Sequence, residues 1–455
     1  MKKRFKNPLS ANRALRMDSA INLDKYHVAL DASNPIRVSG KVTKVVGLTI
    51  EAYSPTCTLG SLCEICPKGD RSAVRAEAVG FRESKVLLMP LGEIRGIGPG
   101  SRVLANQQNA LIGVGKGLLG RVIDGLGNPI DGKGPLLVET EYPIYKNPMN
   151  PLLRKRIARP LDTGIRALNG LLTIGCGQRV GIFSGSGVGK SVLLGMIARK
   201  TTADVNVIAL IGERGREVND FLEKELGQEG LKRSVVVVAT SDHPPLIRMR
   251  GAFIATAVAE YFRDQGSQVI LMMDSVTRFA MAQREVGLAT GEPPTTKGYT
   301  PSVFALLPKL LERAGTSSNH GTITGLYTVL VEADDMNEPI SDAVRAILDG
   351  HIILSRDLAN QNHYPAIDIL GSVSRLMNDI TDPQHREKAN RVKAVMSTYK
   401  KAEDLINIGA YVKGSSPKID YAIKMIGKIN AYLGQDVPES YSFKDSIRQL
   451  GDLFR

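Results

Sequence analysis

A glycine-rich segment that ends in a lysine and a serine is the part of this 455-residue sequence best suited to chemistry. It reads Ser-Gly-Ser-Gly-Val-Gly-Lys-Ser over residues 184–191, between an apolar run at 179–183 and a helical pattern at 192–200. In such a strand, loop and helix, the glycines let backbone N–H groups turn inward, and the helix N-terminus adds its dipole to an anion site. The segment therefore predicts a phosphate-binding loop for a nucleotide.

The loop residues have predicted contacts with ATP and its metal ion. Lys190 is expected to reach the β- and γ-phosphates, and the Ser191 hydroxyl to hold Mg²⁺. Ser184 departs from the usual pattern, in which the first residue of the loop is glycine. The predicted nucleotide contacts within the loop are Ser184, Gly185, Ser186, Gly187, Val188, Gly189, Lys190, Ser191 and Val192.

Two carboxylates are placed where nucleotide hydrolysis would need them. Asp274 directly follows the apolar run 269–273, and a site of this kind requires a Mg²⁺-supporting acid at the tip of a neighbouring strand. Glu213 follows the run 207–211, which is predicted to be the first strand after the helix of the loop. Its carboxylate can then face the γ-phosphate and polarise the attacking water.

Two arginines lie close behind Glu213 in the chain. Arg214 is predicted to neutralise phosphate charge and is included with Lys190 and Glu213 among the catalytic candidates. Arg216 is predicted to form an ordinary surface ion pair with Glu217.

The elements that must position these residues follow from the hydrophobic pattern. Near-continuous apolar runs at 207–211, 235–238 and 269–273 alternate with helical stretches, which is typical of parallel strands covered on both faces. Short strands such as 36–42 and 85–89 indicate a small β-barrel near the N-terminus, with an open meander as the alternative. The fold class is therefore α/β, with a barrel before the core and helices after it. The predicted domains are a basic arm at 1–25, a β-barrel at 26–100, a nucleotide-binding domain at 101–380 and a helical domain at 381–455.

Composition restricts the classes of protein. The chain is 43% hydrophobic and 23% charged, which is an ordinary globular balance. It has no apolar run near the length of a membrane span and no signal-peptide pattern, so a cytoplasmic location is expected. Six of the residues that give the net charge of +13 lie within the first 16 positions, which hold no acid. This arm could meet acidic phospholipid, nucleic acid or an acidic partner, or be a solvated chain end.

Cys63 and Cys66 form an isolated C-x-x-C. A zinc site needs four ligands, and no second cysteine pair or histidine pair follows at the required spacing. We therefore predict a reduced, structural pair within the strand-rich segment, and no disulfide framework.

Several motifs together resemble the flagellum-specific protein-export ATPases, which are relatives of the rotary ATP synthase catalytic subunits and of the injectisome ATPases. They are the phosphate-binding loop and the stretches Gly-Glu-Arg-Gly-Arg-Glu-Val at 212–218, Pro-Pro-Thr-Thr-Lys-Gly-Tyr at 293–299, and Asp-Gly-His-Ile-Ile-Leu-Ser-Arg at 349–356. The segment 120–132 matches the family's entry into the nucleotide domain. The resemblance runs from about residue 26 to 433 and implies a RecA-like P-loop ATPase core, an N-terminal β-barrel and a C-terminal helical domain.

The resemblance also implies further site residues and partners. Tyr364 takes the position of the aromatic ring that stacks on adenine, and Arg375 that of the arginine finger. Rotary synthases divide the catalytic glutamate and the finger between two subunit types, whereas this chain holds both Glu213 and Arg375, which indicates a homohexamer. The implied partners are a stator-like regulatory protein, a central-stalk coiled-coil protein, export chaperones and cargo, and the export gate. The implied location is the inner face of the cytoplasmic membrane.

Three other functions fit parts of the sequence. A RecA-fold nucleic-acid motor would share the loop, but aromatic residues are only 5% and tryptophan is absent, so no nucleic acid is expected. An ATP synthase catalytic subunit would take its finger from another subunit. An injectisome ATPase is the nearest alternative, and the stretch 404–416 resembles the flagellar type more closely.

Overall fold

A computed structural model describes residues 39–54, 56–69, 72–106, 110–318, 321–331 and 335–455, together with Leu23, Tyr26 and His27. The predicted basic arm lies outside these residues except for Leu23, and so does the beginning of the strand predicted at 36–42. Within the described part of the chain, no helix combines the length and the apolarity that crossing a bilayer requires.

The first domain is a closed six-stranded barrel. Its strands are β1 Ser39–Val46, β2 Thr49–Tyr53, β3 Leu62–Cys66, β4 Val74–Arg82, β5 Lys85–Pro90 and β6 Arg102–Asn106, in the order β1-β2-β5-β4-β3-β6. Inward-facing apolar residues such as Ile50, Ile65 and Leu88 fill its interior. The predicted barrel is confirmed, and the open meander is wrong. The barrel extends beyond the boundary predicted at residue 100, because β6 pairs with both β1 and β3 and closes the ring.

The cysteine prediction is only partly correct. All four cysteines are free thiols. Cys63 does not face Cys66, because residues three apart on a strand point to opposite faces. Cys63 is buried inside the barrel, and its sulfur lies 3.3 Å from that of Cys57.

The second domain is built around an α/β sheet. The strands after the barrel are β7 Leu111–Val114, β8 Arg121–Asp124, β9 Thr140–Pro143, β10 Arg179–Ser184, β11 Val205–Ile211, β12 Ser234–Ala239, β13 Gln268–Asp274, β14 Gly315–Thr316, β15 Thr322–Leu330, β16 Gly350–Leu354 and β17 Ile367–Ser374; β7 and β9 pair separately. The order in the sheet is β17-β16-β10-β15-β13-β11-β12-β8, with β14 beside β15. All neighbours are parallel except β16–β17 and β14–β15. The three apolar runs predicted as parallel strands are confirmed as parts of β11, β12 and β13.

Helices cover both faces of the sheet. They are α1 Arg166–Leu171, α2 Lys190–Lys200, α3 Gly215–Asp220, a π-helical turn at Phe221–Leu226, α4 Gly227–Lys232, α5 Pro245–Asp264, α6 Val276–Thr290, α7 Pro301–Leu311, α8 Pro339–Ile347, α9 Arg356–Asn360 and α10 Met377–Ile380. Strand β11 is apolar throughout because helices cover both of its faces. Ala209 and Ile211 pack into the core that contains α5, while Ile208 and Leu210 pack into the core that contains α2.

The chain ends in the helices α11 Pro383–Asn407, α12 Pro417–Leu433 and α13 Phe443–Asp452. The predicted helices at 399–407 and 419–433 are confirmed as parts of α11 and α12. Asp382 caps the first helix by accepting a hydrogen bond of 2.8 Å from the backbone N–H of His385. Apolar residues of these helices, including Val392 and Ile429, join the core on the α2 side of the sheet.

A buried ion pair links the barrel to the α/β domain. Arg250 Nη1 on α5 donates to Glu77 Oε2 on β4 at 2.7 Å, and the Tyr145 hydroxyl donates to Glu77 at 3.1 Å. Both charged side chains are less than a tenth exposed. Burial raises the pKa of Glu77, and the Arg250 guanidinium opposes that shift. The carboxylate therefore depends on Arg250 to remain charged at this depth.

Arg250→Met is expected to lower the free energy of unfolding by about 3–5 kcal/mol, because it leaves the Glu77 carboxylate buried without its cation. The matched control is Arg82→Met, which removes a barrel arginine that is half exposed and lies 3.7 Å from Glu51. That change should cost about 1 kcal/mol or less. Urea unfolding measures both variants, and equal losses would contradict the role given to the buried pair.

Candidate active site

The predicted phosphate-binding loop joins β10 to α2. Strand β10 ends at Ser184 and the helix begins at Lys190. Gly187 and Gly189 have φ of 81° and 86°, a left-handed conformation that side chains other than glycine rarely adopt. A Cβ on Gly189 would also lie 3.4 Å from the ring of Tyr364. The glycines thus shape the loop and let an aromatic ring approach it closely.

The loop borders a cavity of about 630 Å³. Most of the predicted loop contacts line it, whereas Val188 is buried beneath the loop and can contribute only its backbone. The lining residues include Ser184, Gly185, Ser186, Gly187, Gly189, Lys190, Ser191, Val192, Glu213, Arg214, Glu217, Arg278 and Arg356. The cavity combines backbone N–H groups, cations and acids, as a polyphosphate site with hydrolytic chemistry requires.

Lys190 forms ion pairs with both predicted acids. Its Nζ contacts Asp274 Oδ1 and lies 3.8 Å from Glu213 Oε1. Burial disfavours the ammonium, but the two carboxylates outweigh it and raise the pKa of Lys190 above its usual value. Lys190 is therefore charged at neutral pH, the state that phosphate binding needs.

Glu213 enters the cavity through a turn just after β11. Gly212 has φ of 71°, and a Cβ there would lie 2.7 Å from that of Arg278, so only glycine fits the turn. Burial and the neighbouring Asp274 carboxylate raise the pKa of Glu213 to about 7, with Lys190 opposing them. Its Oε1 is buried and has no hydrogen-bond partner among the described residues. A carboxylate of this pKa, with an oxygen that makes no hydrogen bond, can accept a proton from water near neutral pH.

Asp274 and Ser191 supply oxygen atoms of the type that Mg²⁺ prefers. Asp274 ends β13 and accepts a hydrogen bond of 2.7 Å from the Thr328 hydroxyl, which fixes its carboxylate beside Lys190. Ser191 lines the cavity from the first turn of α2. The described residues contain no group of three or more His, Cys, Asp or Glu that could hold a metal alone. One hydroxyl and one carboxylate fit Mg²⁺ when the remaining ligands are phosphate oxygens and water.

The two arginines after Glu213 both form ion pairs on the protein surface. Arg214 lies at the cavity rim, with its side chain three-quarters exposed, and its Nη1 is 3.4 Å from Glu217 Oε1. Arg216 pairs with Asp220 at 3.0 Å. The surface pair predicted for Arg216 is thus present, but its partner Glu217 is wrong, because residues four apart on α3 lie on one face of the helix.

Tyr364 and Arg375 lie beyond opposite ends of strand β17. This strand runs antiparallel to β16, so Ile367 pairs with Leu354 at the end near the phosphate-binding loop, and Ser374 pairs with Gly350 at the other end. Tyr364 precedes the strand and lies beside Gly189 of the phosphate-binding loop, whereas Arg375 follows the strand. Arg375 is exposed and donates from Nη2 to the backbone oxygen of Arg345 at 3.3 Å.

Three charged residues that line the cavity were missed by the sequence reasoning: Glu217, Arg278 and Arg356. Arg278 lines the cavity beside Gly212, and its buried Nε has no partner among the described residues. Glu217 faces the cavity one helical turn after Glu213. A signal for Arg278 existed in the sequence, since it lies four residues after Asp274, in the first turn of the helix that follows β13.

Three known domain families match successive segments of the chain. The nucleotide-binding domain of the ATP synthase alpha/beta family matches residues 164–374, and the beta-barrel domain of that family matches residues 42–105. The T3SS EscN ATPase C-terminal domain matches residues 381–452.

Similar proteins span nearly the whole chain. The chain is 56% identical to the flagellum-specific ATP synthase of Bacillus subtilis (strain 168), over 91% of this chain and 94% of that protein. It is 48% identical to a type 3 secretion system ATPase of Xanthomonas euvesicatoria, over 90% and 93%. The assembled ATPase EscN of the enteropathogenic E. coli type III secretion system has a similar structure, with a TM-score of 0.86 at 47% identity, over 91% of this chain and 99% of that one. EscN in complex with its central stalk EscO gives 0.84 at 46% identity, over 91% and 99%.

Proposed function

The chain belongs to the ATP synthase alpha/beta family and, within it, to the flagellum-specific and type III secretion ATPases, and on that premise we propose that it works as a homohexameric ring that energises or primes the export of flagellar proteins through a type III secretion apparatus. The enzyme hydrolyses ATP. The observation that carries the flagellar assignment is the high identity to a flagellum-specific relative along almost the full length of both chains.

The cavity supports a direct account of ATP binding. The N–H groups of the loop and the start of α2 hold the phosphates, and Lys190 neutralises their charge. Ser191 and Asp274 would hold Mg²⁺, which would neutralise the negative charge of the phosphates. Tyr364, whose ring lies beside Gly189, would stack on the adenine base. Arg214, at the rim, would add positive charge near the γ-phosphate.

The acid that accepts the proton is Glu213. Hydrolysis requires a group that orients the attacking water and takes its proton as the bond to phosphorus forms. Glu213 Oε1 makes no hydrogen bond with the described residues and lies 3.8 Å from Lys190 Nζ, and the pKa of Glu213 is raised to about 7, which suits a base that works near neutral pH.

Arg375 would complete the site of a neighbouring subunit. It lies at the level of the first residues of β10, whereas the phosphate-binding loop follows the last residue of that strand. At a rise of about 3.3 Å per residue, these two levels are about 15 Å apart. An arginine side chain cannot span that distance to its own Lys190. Its exposure leaves it available to a second copy of the chain, which supports a ring with active sites between subunits.

The partners follow from the same premise. The assembled state of EscN supports self-association of this chain, and the EscN complex with EscO supports a central-stalk coiled-coil partner. We further propose a stator-like regulatory protein, export chaperones and their cargo, and the export gate as partners. The proposed location is cytoplasmic, at the inner face of the cytoplasmic membrane.

The basic arm is the segment proposed to bind acidic phospholipid. A chain that lacks residues 1–16 loses six basic residues and no acid. It should sediment less with vesicles of phosphatidylglycerol than the full chain does, and the difference should disappear at high salt, because screening weakens exposed charges. Phosphatidylcholine vesicles are the control. Equal and salt-independent binding of both chains would contradict a lipid role.

The test of the proposed function is deletion of the gene in its native host. We expect loss of flagella and loss of flagellar proteins from the culture medium, with both restored by the wild-type gene and not by a gene that encodes Glu213→Gln. Normal flagellar export in the deletion strain would contradict the assignment. If another secretion system failed instead, the injectisome alternative would replace it.

A further inference from the structure

Two thiols in the barrel are nearly in contact. Cys57 lies in the connection between β2 and β3, and Cys63 lies on β3 with its side chain inside the barrel. Their sulfur atoms are 3.3 Å apart, and both residues are more than nine-tenths buried. The short distance places the two sulfurs within reach of each other without unfolding the barrel.

The surroundings make the two thiols chemically unequal. The hydrogen bond with Cys63 lowers the pKa of Cys57 to about 6, against the effect of burial, and the Ser54 hydroxyl lies 3.2 Å from the same sulfur. The hydrogen bond with Cys57 and burial both raise the pKa of Cys63. The hydrogen bond with Cys63 thus favours the thiolate of Cys57, and the thiolate is the reactive form of a cysteine.

We propose that Cys57 and Cys63 form a reversible redox modification site, which closes to a disulfide when the protein meets a peroxide and opens again with a thiol reductant. In the first step the Cys57 thiol loses its proton, its sulfur attacks one oxygen of hydrogen peroxide and the O–O bond breaks; a sulfenic acid forms, and the released hydroxide takes up a proton to give one water. In the second step Cys63 loses its proton and attacks the Cys57 sulfur, the S–O bond breaks, and a second water leaves. Two thiols are oxidised and one peroxide is reduced to two waters.

Closure needs only a local movement. A disulfide bond is about 2.05 Å long, so the sulfurs must approach by about 1.2 Å. Cys57 belongs to a connection rather than to a paired strand, so the shift can be taken up there. The disulfide bond would restrain the short turn that contains Leu59, a residue that is 70% exposed on the barrel surface. Oxidation would thus fix one surface feature of the barrel and leave the ATP site unchanged.

The test uses the full-length chain, reduced and then treated with hydrogen peroxide near neutral pH. Free thiols are alkylated under denaturing conditions, and the protein is cut after glutamate. Because Glu51 and Glu64 flank the fragment 52–64, Cys57 and Cys63 fall in one peptide and Cys66 in the next. We expect most of the 52–64 fragment to become unalkylated and lighter by two hydrogen atoms, and dithiothreitol to reverse the change. Cys66 should stay fully alkylated.

Two serine variants separate this site from general oxidation. Cys63→Ser should abolish the lighter fragment, whereas Cys66→Ser should leave its yield unchanged. Full alkylation of Cys57 and Cys63 after peroxide would overturn the proposal, and so would a bond from Cys57 to Cys66. Because the main measurement uses the wild-type chain, a variant that failed to fold would not leave the proposal untested.

Discussion

Replacing Glu213 by glutamine is expected to lower ATP turnover by about 10²–10⁴-fold while Mg-ATP still binds, because the amide keeps the shape of the side chain but cannot accept a proton from water. Lys190 retains its contact with Asp274 in this variant, so the phosphate-binding cation stays in place. The loss should therefore appear in kcat and leave the dissociation constant for nucleotide nearly unchanged.

The pH dependence makes the prediction more specific. The pKa of Glu213 is raised to about 7, so its carboxylate becomes protonated as the pH falls below that value. A protonated acid cannot act as a base, and kcat/KM of the wild type should fall with pH below about 7, since that parameter reports groups of the free enzyme. The residual activity of Glu213→Gln should lack this decline.

Phosphate release and a fluorescent nucleotide titration measure the two quantities. Glu223→Gln is the matched control, because Glu223 is exposed on the helical segment that follows α3 and does not line the cavity. It should retain wild-type turnover. Near-normal turnover of Glu213→Gln would remove Glu213 from the catalytic role.

The local patterns of the sequence predicted the parts of the fold that local physics decides. The buried runs of β11, β12 and β13 are apolar throughout, because helices cover both faces of the sheet. The glycine loop between a strand and a helix could also be predicted from the sequence, because its backbone geometry requires glycine at particular positions. Lys190, Glu213 and Asp274 follow such elements directly, and the structure brings their side chains together.

Features that depend on pairing distant segments were not visible in the sequence. The proximity of Cys57 to Cys63 depends on how the connection after β2 folds over β3, and the C-x-x-C spacing pointed to the wrong partner. The closing strand β6 could be placed only by its pairing with β1 and β3. The position of Arg375 depends on the reversed direction of β17, which no local pattern encodes.

The position of Arg375 at the end of β17 gives the second prediction with a large effect on turnover. Arg375→Ala should bind ATP and yet lose about 10³–10⁵-fold in turnover, the usual contribution of an arginine finger. Arg448→Ala is the control, because Arg448 is exposed on α13 and forms a surface ion pair with Asp445 one turn away, at 2.8 Å. It should leave turnover unchanged. A modest loss in Arg375→Ala would be too small for a group that meets the γ-phosphate.

Mixing two inactive variants tests whether Arg375 acts across the interface. A Glu213→Gln chain still offers a wild-type finger, and an Arg375→Ala chain still offers a wild-type acid. In an equal mixture that exchanges subunits at random, about one quarter of the interfaces should combine both wild-type groups. Phosphate release against the mixing ratio should therefore peak near equal amounts, at up to about a quarter of wild-type activity if the sites act independently.

The double variant Glu213→Gln/Arg375→Ala gives the matched control for that experiment. Mixed with Glu213→Gln, it leaves no wild-type acid in any ring, and mixed with Arg375→Ala, it leaves no wild-type finger, so both mixtures must stay inactive. No recovery in the first mixture, despite mixed rings shown by mass spectrometry, would mean that Arg375 serves its own subunit or only the fold. Its own subunit could use it only if the end of β17 that carries Arg375 moved toward Lys190, which the continuous pairing of β10, β16 and β17 opposes. Recovery that peaks at equal mixing would therefore place each active site between two copies of this chain.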